Sequence, residues 1–512
     1  MGRDVFYITT PIYYPNDVPH IGHAYDAVAV DFIARYHRLR GERVFHLTGT
    51  DEHGLKLQRA AEAAGMTPQQ WVDEMEPKWR EVWARLDIAY DDYIRTTEPR
   101  HEAAVKKLLQ AVYDNGRGDI YLGTYEGWYC VACEAYYTEG DLVEGRCPIH
   151  DRPVERLQEE NYFFRLSAYA DRLLEHYAAH PEAVQPETRR NEVLSVIRGG
   201  LQDFSISRTS FSWGIPLPWD PSHVCYVWFD ALANYITAAG YASDPERFAA
   251  LWPADIHMIG KDILRFHAIY WPAMLMAADL EPPKQVWAHG FLTVGGQKMS
   301  KTNATGIHPF ELIDHFGTDS YRYYFMREIR FGEDGSFSWE SMVDRHNADL
   351  ANGLGNLASR VLAMLGSYFE GRVPEPEVEG AEDDLPAVIV DAARRYDEHM
   401  LAVRLHEGLA AVWDIVARAN GYLVEREPWK LARDPARRAE LGSVLYAAAE
   451  TLRALAVLIS PIMPGAAERL WEQLGIGEPL AHEHVPEAVT WGRLRPGTVT
   501  TKGGALFPRL ES

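Results

Sequence analysis

His20-Ile21-Gly22-His23 and, nearly three hundred residues later, Lys298-Met299-Ser300-Lys301-Thr302 are two stretches whose side chains suit phosphate chemistry. Histidines at the start of a helix add N–H donors to backbone amides that already carry partial positive charge. Two lysines around a small hydroxyl residue, after the Gly295-Gly296 turn, supply cations on a loop. Together they fit the holding of a polyphosphate, and so ATP chemistry without a P-loop. A third constellation is Cys130-x-x-Cys133, thirteen intervening residues, then Cys147-x-x-His150. Two tight turns that each aim two ligands at one ion make a tetrahedral Zn²⁺ site with all four positions filled. Such a site is structural, one ion per chain.

The elements that must position these groups follow from the pattern. A β-branched and aromatic run, Val5 to Thr10, precedes a helical pattern from Ala24 to Leu39 that stops at Gly41, which is a strand–loop–helix unit with its histidines at the helix N-terminus. A second strand, Val44–Thr48, and helices through Leu109 extend the alternation, which predicts a parallel, doubly wound sheet. No G-x-G-x-x-G follows the first strand, so the dinucleotide fingerprint is missing. From Asp119 to about Phe164 short aromatic strands, turns and cysteines suggest an inserted module. The sheet is expected to resume at Val224–Phe229, Ile256–Gly260 and Val286–Thr293. Pro309–Arg330 reads as a helical linker. Long amphipathic runs, 386–424 and 436–474, read as a helix bundle, broken upstream by the acidic loop around Glu379–Asp384.

With 512 residues the chain is too long for one ordinary core. No uncharged apolar stretch reaches membrane-spanning length, and the N-terminus runs straight into a strand, so neither membrane partner nor signal peptide is expected. Four cysteines make no disulfide framework, which fits a reducing cytoplasmic location. A net charge of −23 argues against general nucleic-acid stickiness, although a local basic face can still meet RNA. Arginines cluster at Arg189, Arg190, Arg198 and Arg208, and at Arg433, Arg437 and Arg438, where solvated helix faces are the simpler account. Cys225, in an apolar strand, reads as a core thiol.

Taken in order, these stretches resemble a class I aminoacyl-tRNA synthetase, most closely the bacterial methionyl-tRNA synthetases with one zinc knuckle. The resemblance covers nearly the whole chain. It includes Thr10-Pro11-Ile12-Tyr13-Tyr14, the HIGH motif, Gly49-Thr50-Asp51-Glu52-His53-Gly54, the knuckle and Tyr226-Val227-Trp228-Phe229-Asp230-Ala231. It continues through Ile259-Gly260-Lys261-Asp262-Ile263, a KMSKS-like motif ending in Thr302 rather than serine, Gly355 to Arg360, and Pro428-Trp429-Lys430. It implies a Rossmann-like catalytic domain in two halves, 1–117 and 226–305, with an inserted connective domain bearing the knuckle at 118–225. A stem-contact linker at 306–355 and an all-α helix-bundle anticodon-binding domain at 356–512 complete it.

The implied reaction joins L-methionine to ATP and then to methionine tRNAs, with Mg²⁺ accompanying the nucleotide. His20, Gly22 and His23 are expected on the α-phosphate and adenine side, and Lys298, Ser300 and Lys301 around the β- and γ-phosphates. By resemblance Asp51 binds the methionine ammonium, although an aspartate in such a motif is commonly just a turn former. Ile12, Tyr14, Trp228, Ala231, Leu232, Tyr235, Ile263, Phe266 and His267 match the family's side-chain pocket, with Tyr14 and His267 expected to address the thioether. Most of these would pass for core residues on composition alone. Asn356, Arg360 and Trp429 match the anticodon readers. The chain stops without the dimerising module of some relatives, so a monomer is expected.

Three rivals stand beside this reading. One is a synthetase for cysteine, leucine, valine or isoleucine, although the inserted region leaves little room for the editing domain that branched substrates require. Another is a metallohydrolase built on His20, His23, Asp51 and His53, which lacks the glutamate of H-E-x-x-H enzymes. The third is a non-catalytic RNA-binding descendant, against which the intact histidine and lysine motifs argue.

Overall fold

A computed structural model describes residues 5–132, 135–137, 139–149, 151–294, 297–298 and 307–511. They divide into two compact units, the first formed by Met1–Val30, Val44–Ala84 and Ile88–Gly290, the second by Asp31–Arg43, Arg85–Asp87 and Phe291–Ser512.

The first unit is built on six strands: β1 (Val5–Thr9), β2 (Arg43–Thr50), β3 (Asp92–Arg95), β4 (Val184–Gln185), β5 (Ile256–Gly260) and β6 (Val286–His289). Their spatial order is β3-β2-β1-β5-β6-β4. β1 runs parallel to β5, β5 to β6, β6 to β4 and β2 to β3. The central strands are buried along most of their length, which is why they read as continuous apolar runs rather than alternating ones. Strand order reverses between β1 and β5, and ligands of open α/β sheets bind outside the carboxyl ends at such a reversal. The long helix α1 (Ile21–Leu39) follows β1. It closes at Gly41 with φ 79°, while the Glu42 amide returns to the His37 carbonyl at 3.1 Å.

Two expectations are corrected here. Val224–Phe229 is not a strand of this sheet. Only Val224–Cys225 is extended, and it pairs antiparallel with Ser207–Arg208, while Val227–Leu232 is helical. The inserted region also does not run unbroken from 118 to 225, because β4, at its centre, forms the edge of the main sheet against β6. The insertion proper is a four-stranded antiparallel sheet of Ala135–Tyr137, Ile120–Cys130, Glu155–Phe164 and Phe204–Ser205.

The second unit is mostly helical: Asn356–Phe369, Leu385–Leu401, Leu405–Arg426, Arg438–Ile459 and Pro464–Gln473 are its main helices. The run expected over 386–424 breaks at Val403, which adopts φ 56°. Pro461 and Pro464 break the run over 436–474. Among the described residues one helix, Pro435–Ile459, is long and apolar enough to cross a membrane, yet its apolar window is wholly buried. Glu450 on it is buried with Arg453, and its carboxylate also accepts the amides of Gly492, Arg493 and Leu494. A buried charge so satisfied is tolerable where a bare one is not. Arg322 does the same for residues 31 and 86, donating to Asp31 at 2.6 Å and to the Leu86 and Ile462 carbonyls.

Candidate active site

Beyond the ends of β1 and β2 the chain keeps the two strands in step. The Thr10 amide donates to the Leu47 carbonyl, Tyr13 to Gly49, and Asp51 back to Tyr13 at 2.9 Å. Ile12 and Tyr14 therefore flank a residue paired beside Asp51, and Asp51 is only 3% exposed. Gly49 allows this geometry. A Cβ there would lie 2.0 Å from the Ile94 carbonyl oxygen on β3. The Lys56 ammonium stands 4.4 Å over the Tyr14 ring.

The HIGH histidines sit at the first turn of α1. Their rings stack at 3.8 Å, the His20 Nδ1 accepts the Gly22 amide, and the His23 Nδ1 accepts the His20 amide. Each ring therefore caps the helix with one nitrogen and carries its proton on Nε2, so capping and donation coexist in one side chain. Tyr13 braces this turn: its hydroxyl donates to Asp26 on α1 at 2.5 Å, and its ring packs edge-on to His23 and flat on Trp79.

The remaining pocket candidates come from the helix Val227–Leu232, the helix Asn234–Ala239 and the chain after β5. Trp228, Ala231 and Leu232 share one helical face by their i, i+3, i+4 spacing. Trp228 lies flat on Phe266 with ring centres 3.7 Å apart and planes 4° apart. Phe266 and His267 belong to a π-helical turn, Phe266–Tyr270, a rare geometry often found at functional sites. Ala231, Leu232, Tyr235 and His267 are buried, whereas Ile12, Tyr14, Trp228, Ile263 and Phe266 are half-buried.

His267 departs from its expected role. Its Nδ1 donates to the Ile263 carbonyl at 3.1 Å and its Nε2 accepts the Tyr235 hydroxyl at 2.8 Å. Burial lowers its pKa to about 4, so the ring is neutral near pH 7 and both nitrogens are engaged. Neither ring nitrogen is left for the thioether contact that the sequence led us to expect. Tyr235 is itself fixed, its carbonyl accepting the Tyr7 hydroxyl and its ring stacking on His257.

Inspection of motifs missed Asp230. Its carboxylate is 0% exposed and accepts His53 Nδ1 and His101 Nε2, both at 2.7 Å. Burial pushes this carboxyl up, but the two histidines outweigh it and hold the pKa down at about 2. His53 is thereby committed to Asp230. Among the described residues no three His, Cys, Asp or Glu side chains converge as a metal site, and the set His20, His23, Asp51 and His53 is not such a group.

The other motifs are partly in view. Gln297–Lys298 pairs antiparallel with Leu292–Val294, with Lys298 opposite Thr293. Ser300 and Lys301 lie outside the described residues. So do Cys133 and His150. Cys130 and Cys147 are each 1% exposed and form no disulfide. Cys130 ends the strand that turns back into Ala135–Tyr137, and Cys147 opens a turn closed by the Asp151 amide at 2.9 Å. Two buried thiols have the chemistry that Zn²⁺ asks of its ligands. Cys225 is a core thiol as read, pushed up by burial. In the second unit Asn356 is exposed at the start of its helix, directly after a π-helical stretch, His346–Gly355. The Arg360 guanidinium stands 5.5 Å over the half-buried ring of Trp429.

Comparison with known proteins matches this arrangement along the chain. A family model described as class I tRNA synthetases (M) matches residues 6–156 and 141–362, and one described as the anticodon-binding domain of methionyl tRNA ligase matches 373–512. A methionine–tRNA ligase of Streptomyces coelicolor is 53% identical over all of this chain and 97% of its own length. That of Bacillus subtilis is 46% identical, covering all of this chain and 78% of the relative. The Mycobacterium tuberculosis methionyl-tRNA synthetase in complex with methionyl-adenylate superposes with a TM-score of 0.93 at 44% identity, over 99% of this chain and 100% of that one. Its apo form gives 0.84 at 41% identity, over 100% of this chain and 99% of that one.

Proposed function

Since the chain belongs to the methionyl-tRNA synthetase family, we propose that the crevice at the β1–β5 reversal is where it activates methionine with ATP. The enzyme is a methionine–tRNA ligase: it forms methionyl-adenylate with release of pyrophosphate, then passes methionine to tRNA with release of AMP. The observation that carries the siting is the side-by-side pairing of Tyr13 with Thr50, which sets Ile12, Tyr14 and Asp51 together at the strand ends.

The methionine carboxylate is already ionised at neutral pH, so one of its oxygens attacks the α-phosphorus without a general base. A bond forms from carboxylate oxygen to phosphorus as the bond to the pyrophosphate oxygen breaks. What the protein supplies is alignment and donors for the charge that builds up. The Nε2–H groups of His20 and His23 are aimed for that by their capped Nδ1 atoms, with Gly22 leaving the backbone open to adenine. Removing one such donor costs about 2.7–4 kcal/mol of barrier in comparable sites. Lys298 and Lys301, with Ser300, hold the β- and γ-phosphates. Mg²⁺ accompanies ATP and neutralises its phosphates, without a dedicated protein cage.

Asp51 takes the ammonium of methionine, and the wall formed by Ile12, Tyr14, Trp228, Ala231, Leu232, Tyr235, Ile263, Phe266 and His267 takes its thioether. In the second step a ribose hydroxyl of the terminal adenosine, the 2′-hydroxyl in class I relatives, attacks the adenylate carbonyl. Asn356, Arg360 and Trp429 read the anticodon loop, where an unstacked base can lie on the indole. Cys130, Cys133, Cys147 and His150 would hold Zn²⁺, which orders the inserted module. The chain acts as a monomer in the cytoplasm.

Exchange of labelled pyrophosphate into ATP, run with each of the twenty amino acids, tests the reading. Methionine alone is expected to support it. Equal exchange with cysteine, leucine, valine or isoleucine, or none with methionine, overturns it.

A further inference from the structure

Asp230 sits on the same short helix as Trp228 and Ala231 but faces the other way, about 200° around the axis from Trp228 by helical geometry. While its neighbours face the pocket, its carboxylate reaches two histidines on separate segments. His53 lies two residues after Asp51. His101 lies on the helix Pro99–Tyr113, and its Nδ1 is 3.1 Å from the Thr237 hydroxyl oxygen. Thr237 gives its one proton to the Ala233 carbonyl at 2.8 Å, so its oxygen accepts from His101. His101 thus bridges the Thr237 hydroxyl and the Asp230 carboxylate through its two ring nitrogens. Thr237 is two residues after Tyr235 on the helix Asn234–Ala239.

The segment around Asp51 is tied on its other side as well. The Glu52 amide donates to Thr96 at 2.8 Å, the Glu52 carbonyl accepts the Trp213 indole N–H, and the Gly54 amide donates to the Trp213 carbonyl. One buried carboxylate is thus the common node of the segment bearing Asp51, the helix bearing Trp228 and Ala231, and the helix bearing Tyr235.

We propose that Asp230 is the positioning residue of the amino-acid pocket, holding the ammonium-binding carboxylate and the aromatic slot at one fixed separation through His53 and His101. This rests on the reading of that pocket as the methionine site. Among the described residues the bonds of the node run to His53, His101 and, through His101, Thr237, so the effect of loosening it falls on methionine and not on ATP.

Asp230→Asn in the full-length enzyme is the test, because it keeps volume and removes the charge. The amide accepts from one histidine and donates to the other. His101 accommodates this by keeping its proton on Nδ1 toward Thr237. The KM for methionine in the exchange assay is expected to rise about tenfold, the scale of one charge-assisted hydrogen bond, with the KM for ATP changed less than about twofold. A purely structural staple would lower the thermal midpoint and leave the methionine KM unmoved, and that result overturns the proposal. A parallel rise in both KM values overturns it too. Should Asp230→Asn fail to fold, Thr237→Val decides: it removes the partner at the far end of the node and leaves both histidine bonds to Asp230 in place. A rise of about two- to threefold in methionine KM supports the proposal and no change refutes it. Asp51→Ala run alongside separates the two readings. If it leaves the methionine KM unchanged, the pocket assignment fails; if it raises that KM while Asp230→Asn does not, only the positioning role fails.

Discussion

Two tryptophans show how differently the two units treat an aromatic ring. Trp228 lies against Phe266 at 3.7 Å within a shell where Tyr235, His257 and His267 are stacked or hydrogen-bonded into place. Trp429 is half-buried, with the Arg360 guanidinium 5.5 Å from its ring centre. The first ring is held by a parallel aromatic neighbour. The second has a guanidinium over its ring, and under the proposed function it is the ring on which a loop base stacks. A small side chain must be told from its neighbours by about 1–3 kcal/mol per methylene, so the pocket must be rigid. A single-stranded base brings its own large π-face, so its reader needs only a platform.

Acid is the strongest way to break this comparison. His267 is held down at about 4 and His257 well below its ordinary value, in both cases by burial. A group whose folded pKa lies below the unfolded value binds fewer protons when folded, so stability rises with pH across the interval and falls with acid. For His267 the interval runs from its unfolded value near 6.5 to about 4, and its full contribution is on the order of 3 kcal/mol. Asp230 adds a second loss only as the pH falls from its unfolded range through about 2. Methionine-dependent exchange and the near-ultraviolet circular dichroism of the aromatic wall should therefore decay together between pH 6 and 4. An unchanged unfolding midpoint over that range contradicts the buried, neutral imidazoles.

Trp429→Ala comes next. Loss of one stacking platform is worth about 1–3 kcal/mol, so the KM for tRNA should rise on the order of tenfold or more, with tRNA-independent exchange nearly unchanged. Equal loss in both assays removes the platform role. The smallest effect belongs to Tyr235→Phe, which deletes the donor to His267 Nε2 and leaves the ring stack on His257 intact. About 1 kcal/mol, seen as a several-fold rise in methionine KM with tRNA KM unmoved, is expected. A shift in the tRNA KM alone would mean that the two regions are not independent.

Much of the catalytic unit was readable because its motifs lie at strand ends, where local pattern and site coincide. The HIGH turn and Gly49 to Gly54 needed no distant partner to be noticed. β4 escaped because two residues carry no periodicity, and only pairing with β6 makes them a strand. Val224 to Phe229 looked like a strand because β-branched and aromatic residues favour one, yet from Val227 onward tertiary packing winds them into a helix. Asp230 was hidden for a different reason. Its partners stand 177 and 129 positions away, and a buried aspartate in an apolar helix carries no mark of who satisfies it. His267 was expected to address a thioether, but both its ring nitrogens are taken by Tyr235 and Ile263, since hydrogen-bond direction is not written in residue type.

Gly49 carries a consequence of its own. With the Ile94 carbonyl oxygen only 2.0 Å from where a methyl group would stand, not even alanine fits without parting β2 from β3. The carboxylate two residues on thus owes its place to the volume that Gly49 leaves empty.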